Sequence, residues 1–317
     1  MRALVVHQGR LSLADRSAPA MPGECLVRVT AAGICGTDLE LLKGYAGFSG
    51  VPGHEFVGFV ESAGSADQSW MGLRVAGEIT VGCGQCSGCL AAGRGHCDVR
   101  TVLGIRGRDG AFAEYLSLPA TNLHAIPGSI DDVTAVFVEP LAAACRIVEQ
   151  VPVAPETRAA VVGAGRLGLL VAQVLRQAGA TVTVITRGDR GRTAARALDL
   201  DNTPVGATPG LSRQFDLAVD VTGNPAGFAV ATSLVRPRGT VVVKSTFHGE
   251  TTVSFAPLVV DEITIVGSRC GPFDRAIDLL AAGHIDVKPL VAETYPLEQY
   301  EQAFAHARNG LKVILRP

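Results

Sequence analysis

Along the first 130 or so positions, apolar and polar side chains alternate in short runs. Glu24 to Thr30 (ECLVRVT) predicts a half-buried strand, and Phe56 to Glu61 and Arg74 to Glu78 follow the same rule. The opening run Met1-Arg-Ala-Leu-Val-Val-His7 also reads as a strand. Turn residues separate these runs: Pro22-Gly23, Gly44, Gly47, Gly50 and Pro52-Gly53. The pattern predicts a mostly β region ending near Pro127.

The period changes after about residue 133. Thr134 to Val151 is apolar at helical spacing, and Arg158 to Val162 is a continuous apolar strand followed by a helical run to Gln177. Then come Thr181 to Ile185 (strand), Arg190 to Leu198 (helix), Asp216 to Val221 (strand) and Pro225 to Val235 (helix). Two more strands follow, Thr240 to Lys244 and Ile263 to Val266. Strands alternating with helices predict βαβ units and a parallel sheet. Pro272 to Ala282 and Leu297 to Ala307 read as helices, and Leu311 to Leu315 as a last strand that returns to the first domain.

Composition narrows the class. A chain of 317 residues, 47% hydrophobic and 18% charged, is long enough for two domains and is not a polyelectrolyte. Lys+Arg 28 against Asp+Glu 30 leaves a net charge of -2, which speaks against nucleic-acid and membrane-surface partners. Mean hydropathy is +0.29, yet the most apolar stretches are short or broken, so no spanning helix is expected. The N-terminus turns polar too soon for a signal peptide, so a cytoplasmic protein is expected. Eight cysteines in such a chain suggest metal ligands before disulfides.

Gly163, Gly165 and Gly168 form G-x-G-x-x-G directly after a strand and open a helix. Glycines there allow a tight turn, close approach of backbone to a pyrophosphate, and close helix–strand packing, while the helix N-terminus favours the anion. Arg166 and Leu167 complete that loop as cofactor-binding candidates. The alternative is an ordinary βα turn. An acidic residue at the tip of the next strand would hold the ribose of NAD; this chain has Ile185-Thr186-Arg187-Gly188 instead. Thr186 and Arg187 favour NADP(H) over NAD(H), unless Asp189 reaches back to the ribose.

Cys83, Cys86, Cys89 and Cys97 give C-x2-C-x2-C-x7-C, four thiolates able to close around one Zn²⁺ with no open position. A redox pair or an iron–sulfur cluster are the other readings of the same spacing. A second set is scattered: Cys35 within Gly33-Ile-Cys-Gly-Thr-Asp38, His54 and Glu55 within Gly53-His-Glu55, and Glu139 before Pro140. A thiolate, an imidazole and a carboxylate with a free position make a catalytic zinc pattern, but spacing alone does not bring them together.

These motifs, with Asp220-Val-Thr-Gly223 and Lys312-Val-Ile-Leu315, resemble in order and distance the zinc-dependent medium-chain dehydrogenases/reductases, in particular the sorbitol, glucose and threonine dehydrogenase branch. The resemblance implies a partly open, GroES-like β-barrel catalytic domain (1–140 and 273–317, with a zinc lobe near 82–98) interrupted by a Rossmann domain (141–272). It implies Cys35, His54 and Glu139 as catalytic zinc ligands, with Glu55 as an alternate, and Asp38 as the partner orienting the His54 ring. It assigns the four-cysteine lobe to a structural zinc, and Ser268 and Arg269 to the nicotinamide end of the cofactor; Arg269 in a structural ion pair is the alternative.

The implied reaction moves a hydride between a secondary alcohol or polyol, or the matching ketone, and a nicotinamide dinucleotide. Thr37 would take the proton, although a turn residue bonding its own backbone fits the same position. Two departures stand out: Glu40 occupies a position where many relatives carry a histidine, and the region Gly64 to Gly72 is trimmed. A homodimer or homotetramer is implied by analogy, with Thr252 to Phe255 and Ile263 to Val266 at the pairing edge. Rival readings are an NADPH-dependent carbonyl reductase, a dinucleotide-binding member without catalysis, and a zinc-ribbon protein touching nucleic acid.

Overall fold

The computed structural model describes residues 1–244, 246, 250–308 and 310–317. Two compact units divide the chain, Met1–Glu139 with Val291–Pro317, and Pro140–Leu290.

The first unit opens with the hairpin β1 (Arg2–His7) and β2 (Arg10–Asp15), joined through Gln8 and Gly9 at φ 48° and 74°. Two consecutive positive-φ residues are the turn that matches strand twist. Next come β3 (Cys25–Gly33), helix α1 (Gly36–Leu41), β4 (Glu55–Ser62), β5 (Arg74–Gly77) and β6 (Thr80–Val81). Helix α2 (Ser87–Ala92), β7 (Thr101–Val102), β8 (Tyr115–Leu118), β9 (Leu123–Ala125) and α3 (Asp132–Ala135) follow.

Helix α4 (Val138–Gln150) begins with the last residues of this unit and leads into the second. The sequence predicted a single helix over 134–151. It is broken between Ala135 and Val138 because Pro140 has no N–H to give Val136 and its ring would clash there. Restarting at Val138 puts Pro140 in a first turn, where the missing donor costs nothing.

The second unit contains β10 (Arg158–Val162), α5 (Arg166–Gln177), β11 (Thr181–Thr186), α6 (Asp189–Ala197), β12 (Asp201–Pro204) and β13 (Phe215–Asp220). It ends with α7 (Pro225–Leu234), β14 (Val235–Val243), α8 (Phe255–Val260), β15 (Thr264–Gly267) and α9 (Phe273–Ala281). The chain then returns to the first unit as β16 (Val291–Pro296), α10 (Tyr300–Ala307) and β17 (Lys312–Arg316).

The return comes at Val291, later than the residue 273 expected. The amide of Gln173 on α5 explains part of this: it donates to Asp286 O at 3.1 Å and accepts from Asp286 N at 2.8 Å, pinning that segment to the second unit.

In the first unit the sheet runs β16-β17-β3-β4-β5-β9, with β8 also on β3. β3 is buried on alternate residues early and on every residue at its end, as a strand does when it passes from a half-open to a covered position. The terminal strand β17 pairs antiparallel with β3, Ile314 opposite Gly33 and Leu315 opposite Ala32, and β4 sets Glu55 opposite the same Gly33. Lys312 and Glu55 thereby arrive beside Gly33. A Cβ on Gly33 would come within 2.6 Å of Glu55 Oε2 and 3.1 Å of Lys312 Cδ, so only glycine leaves room for both.

The second unit carries a six-stranded parallel sheet ordered β12-β11-β10-β13-β14-β15. The order reverses between β10 and β13, the switch point beside which ligands bind in open sheets of this kind. Ala160, Val162, Ile185, Phe215, Ala218, Leu234 and Val241 form part of its core. Strand β12 escaped the sequence reading because Asp201–Pro204 is polar and lies on the sheet's edge. Among the described residues no helix is long and apolar enough to cross a membrane.

Candidate active site and metal centres

Cys35 caps α1 just past the end of β3. Its backbone N–H donates to Asp38 Oδ2 at 2.7 Å, because a carboxylate three residues into a helix folds back to its own cap. Asp38 is buried, and its other oxygen accepts from Gly53 N at 3.2 Å and stands 3.4 Å from His54 Nδ1. One carboxylate therefore ties the Cys35 turn to the Gly53–His54 turn, segments distant in sequence.

The result is a close cluster. One donor atom each from Cys35, His54 and Glu55 lies within 4.8 Å of the others. Burial alone would push the His54 imidazole down. The negative charges of Asp38 and Cys35 outweigh it and hold the ring well above its usual range. Thr37 Oγ1 lies 3.8 Å from Cys35 Sγ.

Behind His54, the Glu55 carboxylate meets Lys312 Nζ in an ion pair with both side chains buried, and the ammonium sits 5.6 Å from the Phe137 ring centroid. Glu55 Oε1 is buried with no hydrogen-bond partner among the described residues, whereas His54 Nδ1 faces the Asp38 carboxylate. Buried polar atoms without partners are costly. A thiolate, an imidazole and a carboxylate converging with atoms left over suit a borderline cation such as Zn²⁺. Glu139 opens α4 and is outside this close cluster, whereas Glu55 is inside it.

The second candidate metal site is the four-cysteine loop around α2. Sγ–Sγ distances are 3.6 Å for Cys97–Cys83, 3.8 Å for Cys86–Cys97 and 4.0 Å for Cys83–Cys89. Four sulfurs about 2.3 Å from a tetrahedral Zn²⁺ stand about 3.8 Å apart, so the loop has the right size. Backbone N–H groups already serve the sulfurs: Cys83 N donates to Cys97 Sγ at 3.3 Å and Cys89 N to Cys86 Sγ at 3.4 Å. Amides of Cys89 and Asp98 pull the Cys86 thiol down to about 6. Burial pushes Cys89 up.

In the second unit β10 runs into Gly163, at φ +116°, and α5 begins after Gly165. A Cβ on Gly168 would sit 1.9 Å from Gly163 O, so the third glycine is needed for the loop to close. No side chain caps α5, whose first turn is Arg166, Leu167 and Gly168, and the positive end of the helix dipole there favours an anion. Such a cradle fits a dinucleotide pyrophosphate.

Thr186 is buried at the tip of β11 and Arg187 is exposed beyond it. Asp189, the alternative ribose partner, is paired with Arg192. On the next loop Asp220 Oδ1 accepts from Thr222 N at 2.9 Å and Thr222 Oγ1 at 2.8 Å. Ser268 and Arg269 follow β15; Ser268 N donates to Val243 O at 3.1 Å. Lysines at the ends of apolar runs, Lys244 and Lys312, were passed over as site residues in the sequence, although each is buried.

Comparison with known proteins agrees with this arrangement. Residues 21–128 match the alcohol dehydrogenase GroES-like domain and residues 167–282 the zinc-binding dehydrogenase family. The L-threonine 3-dehydrogenase of Streptomyces avermitilis is 34% identical, with 99% of each chain covered. A zinc-binding dehydrogenase of Sinorhizobium meliloti bound to NADP superposes with TM-score 0.91 at 29% identity, covering 100% of this chain and 99% of that one. An Escherichia coli alcohol dehydrogenase complexed with NADH gives TM-score 0.90 at 29% identity, covering 100% and 99%.

A parallel dinucleotide sheet joined to a β domain bearing a thiolate–imidazole–carboxylate cluster defines a metal-assisted oxidoreductase. The chain belongs to the zinc-dependent medium-chain dehydrogenase/reductase family and is an NAD(P)-dependent oxidoreductase of the alcohol dehydrogenase type.

Proposed function

We propose that the substrate is a secondary alcohol or polyol, oxidised to the matching ketone as NADP⁺ takes the hydride, with the reverse reduction run from NADPH. The meeting of Cys35, His54 and Glu55 donor atoms within 4.8 Å carries this reading. Cys35, His54 and Glu139 are the proposed ligands of the catalytic zinc, with Glu55 as the exchanging carboxylate. Cys83, Cys86, Cys89 and Cys97 hold the structural zinc. Zinc held by such ligands would supply a Lewis acid that lowers the pKa of an alcohol oxygen, and a nicotinamide dinucleotide would supply the hydride acceptor.

The chain's own groups do the rest. Asp38, facing Nδ1, orients the His54 ring so that its other nitrogen points to the cluster. Thr37 takes the alcohol's proton as it passes its own outward. One helical turn on, Glu40 accepts from Lys43 Nζ at 2.6 Å, so the proton leaves through water past a charged pair instead of an imidazole. Lys312 holds Glu55 in place behind the histidine.

The NADP preference is supported by Thr186 and Arg187 at the tip of β11 and by the engagement of Asp189 with Arg192. NADPH supply would favour carbonyl reduction as the direction in the cell. A cytoplasmic location is supported by the eight free cysteines, four of them poised as metal thiolates.

A second copy of the chain is the proposed partner. β15 is the open edge of its sheet, and Ile265 on it and Phe255, Val259 and Val260 on α8 are exposed apolar side chains. A two-fold axis at such an edge would pair it with its own copy.

Metal analysis with a cofactor-linked screen of alcohols, polyols and sugars tests the reading. Two zinc ions per chain and turnover of secondary alcohols are expected; turnover confined to short primary alcohols overturns the substrate class. Arg187→Ala should lower kcat/KM with NADP⁺ and spare NAD⁺, and a strong native NAD⁺ preference overturns the cofactor assignment.

A further inference from the structure

Gly110 lies in the turn-rich segment between β7 and β8, against the turn that presents His54. Residues 109–112 clamp residues 51–53 with a run of hydrogen bonds. Val51 N donates to Asp109 Oδ1 at 2.8 Å, and Gly110 N to Val51 O at 2.7 Å. Ala111 N donates to Gly53 O at 2.8 Å and Phe112 N to Pro52 O at 3.0 Å. Gly53 N in turn donates to Asp38 Oδ1 at 3.2 Å. Both backbone polar groups of the residue before His54 are therefore held, one by α1 and the other by this segment. A Cβ on Gly53 would stand 2.6 Å from the Phe112 ring, which is buried and meets Phe304 of α10 edge-on at 5.8 Å.

Gly110 leaves no space for a side chain at this clamp. A Cβ there would lie 2.1 Å from Gly53 O, 2.6 Å from Gly104 Cα and 2.7 Å from Pro52 O. All three are backbone atoms, so none can swing aside as the end of a side chain can. Non-bonded heavy atoms settle at about 3.5 Å, so the closest overlap is about 1 Å. Gly110 is not one of the glycines at positive φ, so its backbone conformation is open to any L residue. What demands glycine is the close approach to the carbonyl that leads into His54.

We propose that Gly110 is a positioning residue for His54. By letting residues 109–112 seat directly on the Gly53 carbonyl, it sets where the imidazole stands relative to Cys35 and Glu55. This rests on the reading of that cluster as a zinc site. Zinc holds its donors to within about 0.2 Å, so a push several times larger is read as lost affinity.

The test is the zinc affinity of the full-length protein, measured by competition with a chromophoric chelator. Cys35→Ala is the reference that lacks the ion of the His54 cluster. Gly110→Ala should keep the ion that Cys35→Ala keeps and hold the other about 10-fold or more weaker. Gly107→Ala is the control. That glycine is in the same segment at φ +62°, and a Cβ on it would meet Thr101, not the His54 turn. It strains the segment without touching Gly53, so it should lower Tm and leave both zinc affinities native.

Native zinc affinity in a folded Gly110→Ala overturns the proposal. Equal weakening in Gly107→Ala also overturns it, because general loosening of the segment would then be the cause. Should Gly110→Ala fail to fold, Phe112→Leu decides: it takes the ring off Gly53 and should weaken the same ion, and native affinity there overturns the proposal. A native protein that holds no zinc dependent on Cys35 overturns the zinc reading itself, and this proposal with it.

Discussion

Replacing Lys312 by Met isolates the worth of the ion pair behind the histidine. Met keeps the bulk of the lysine stem, packed against Gly33, and deletes the ammonium. Both partners are essentially sealed, Lys312 at 0% and Glu55 at 1% side-chain exposure, so water cannot replace the lost partner. Glu55 Oε1 already lacks a hydrogen bond, and the substitution strips Oε2 as well. Removing one member of a buried pair costs about 3–5 kcal/mol. At a urea m-value of about 2 kcal/mol per M, the midpoint should fall by about 2 M. The single tryptophan, Trp70, belongs to the first unit, so its fluorescence follows the unit that holds the pair. Measured at fixed zinc, Glu55→Gln should cost a similar amount, and the double variant much less than the sum, because a neutral amide beside a thioether leaves no uncompensated charge. A loss under 1 kcal/mol for Lys312→Met, or a strictly additive double variant, would refute the reasoning.

Three other perturbations follow from the geometry. Asp38→Ala cuts the tie between the Cys35 and Gly53–His54 turns, and should lower zinc affinity or kcat by about 10–100-fold with little change in dinucleotide Kd. Cys97→Ser removes a sulfur that touches two of the other three, so zinc content should drop by one ion per chain in elemental analysis. Asp216 is pushed up by its partial burial but pulled down further by Arg158 N–H and Arg236, which leaves its carboxyl below the usual range. A depressed carboxyl stabilises the fold above the ordinary carboxylate pKa, and the contribution fades as pH falls through the folded value. The Tm gap between native protein and Asp216→Asn should therefore be present at pH 7 and close in strongly acid buffer.

Local signals located most of the second unit, because its strands are continuous apolar runs and its glycine loop has a steric reason for each glycine. Strand β10 and the end of α5 came out at the expected residues, Arg158–Val162 and Gln177. The four cysteines were legible because C-x2-C-x2-C-x7-C is a spacing that lets a short turn-rich loop fold its thiolates around one ion. The polar edge strand β12 was not, since edge positions do not demand apolar alternation. The break at Pro140 was missed because helical periodicity runs on across the interruption.

What one chain read in order can determine is whatever depends on neighbours in sequence: strand and helix periods, the βαβ order, the glycine cradle and the sulfur loop. What the tertiary structure alone decided is the convergence of groups that no spacing rule connects. Cys35 and His54 meet because Asp38 reaches both turns, and Glu55 meets Lys312 because β17 comes back, 257 residues later, to lie beside β3. Lys244 becomes a fastener for the same reason, since strands adjacent in the sheet end together and one buried ammonium reaches the chain past the next strand. A charge or thiol in sequence is only a candidate; burial and a partner at bonding distance give it a role.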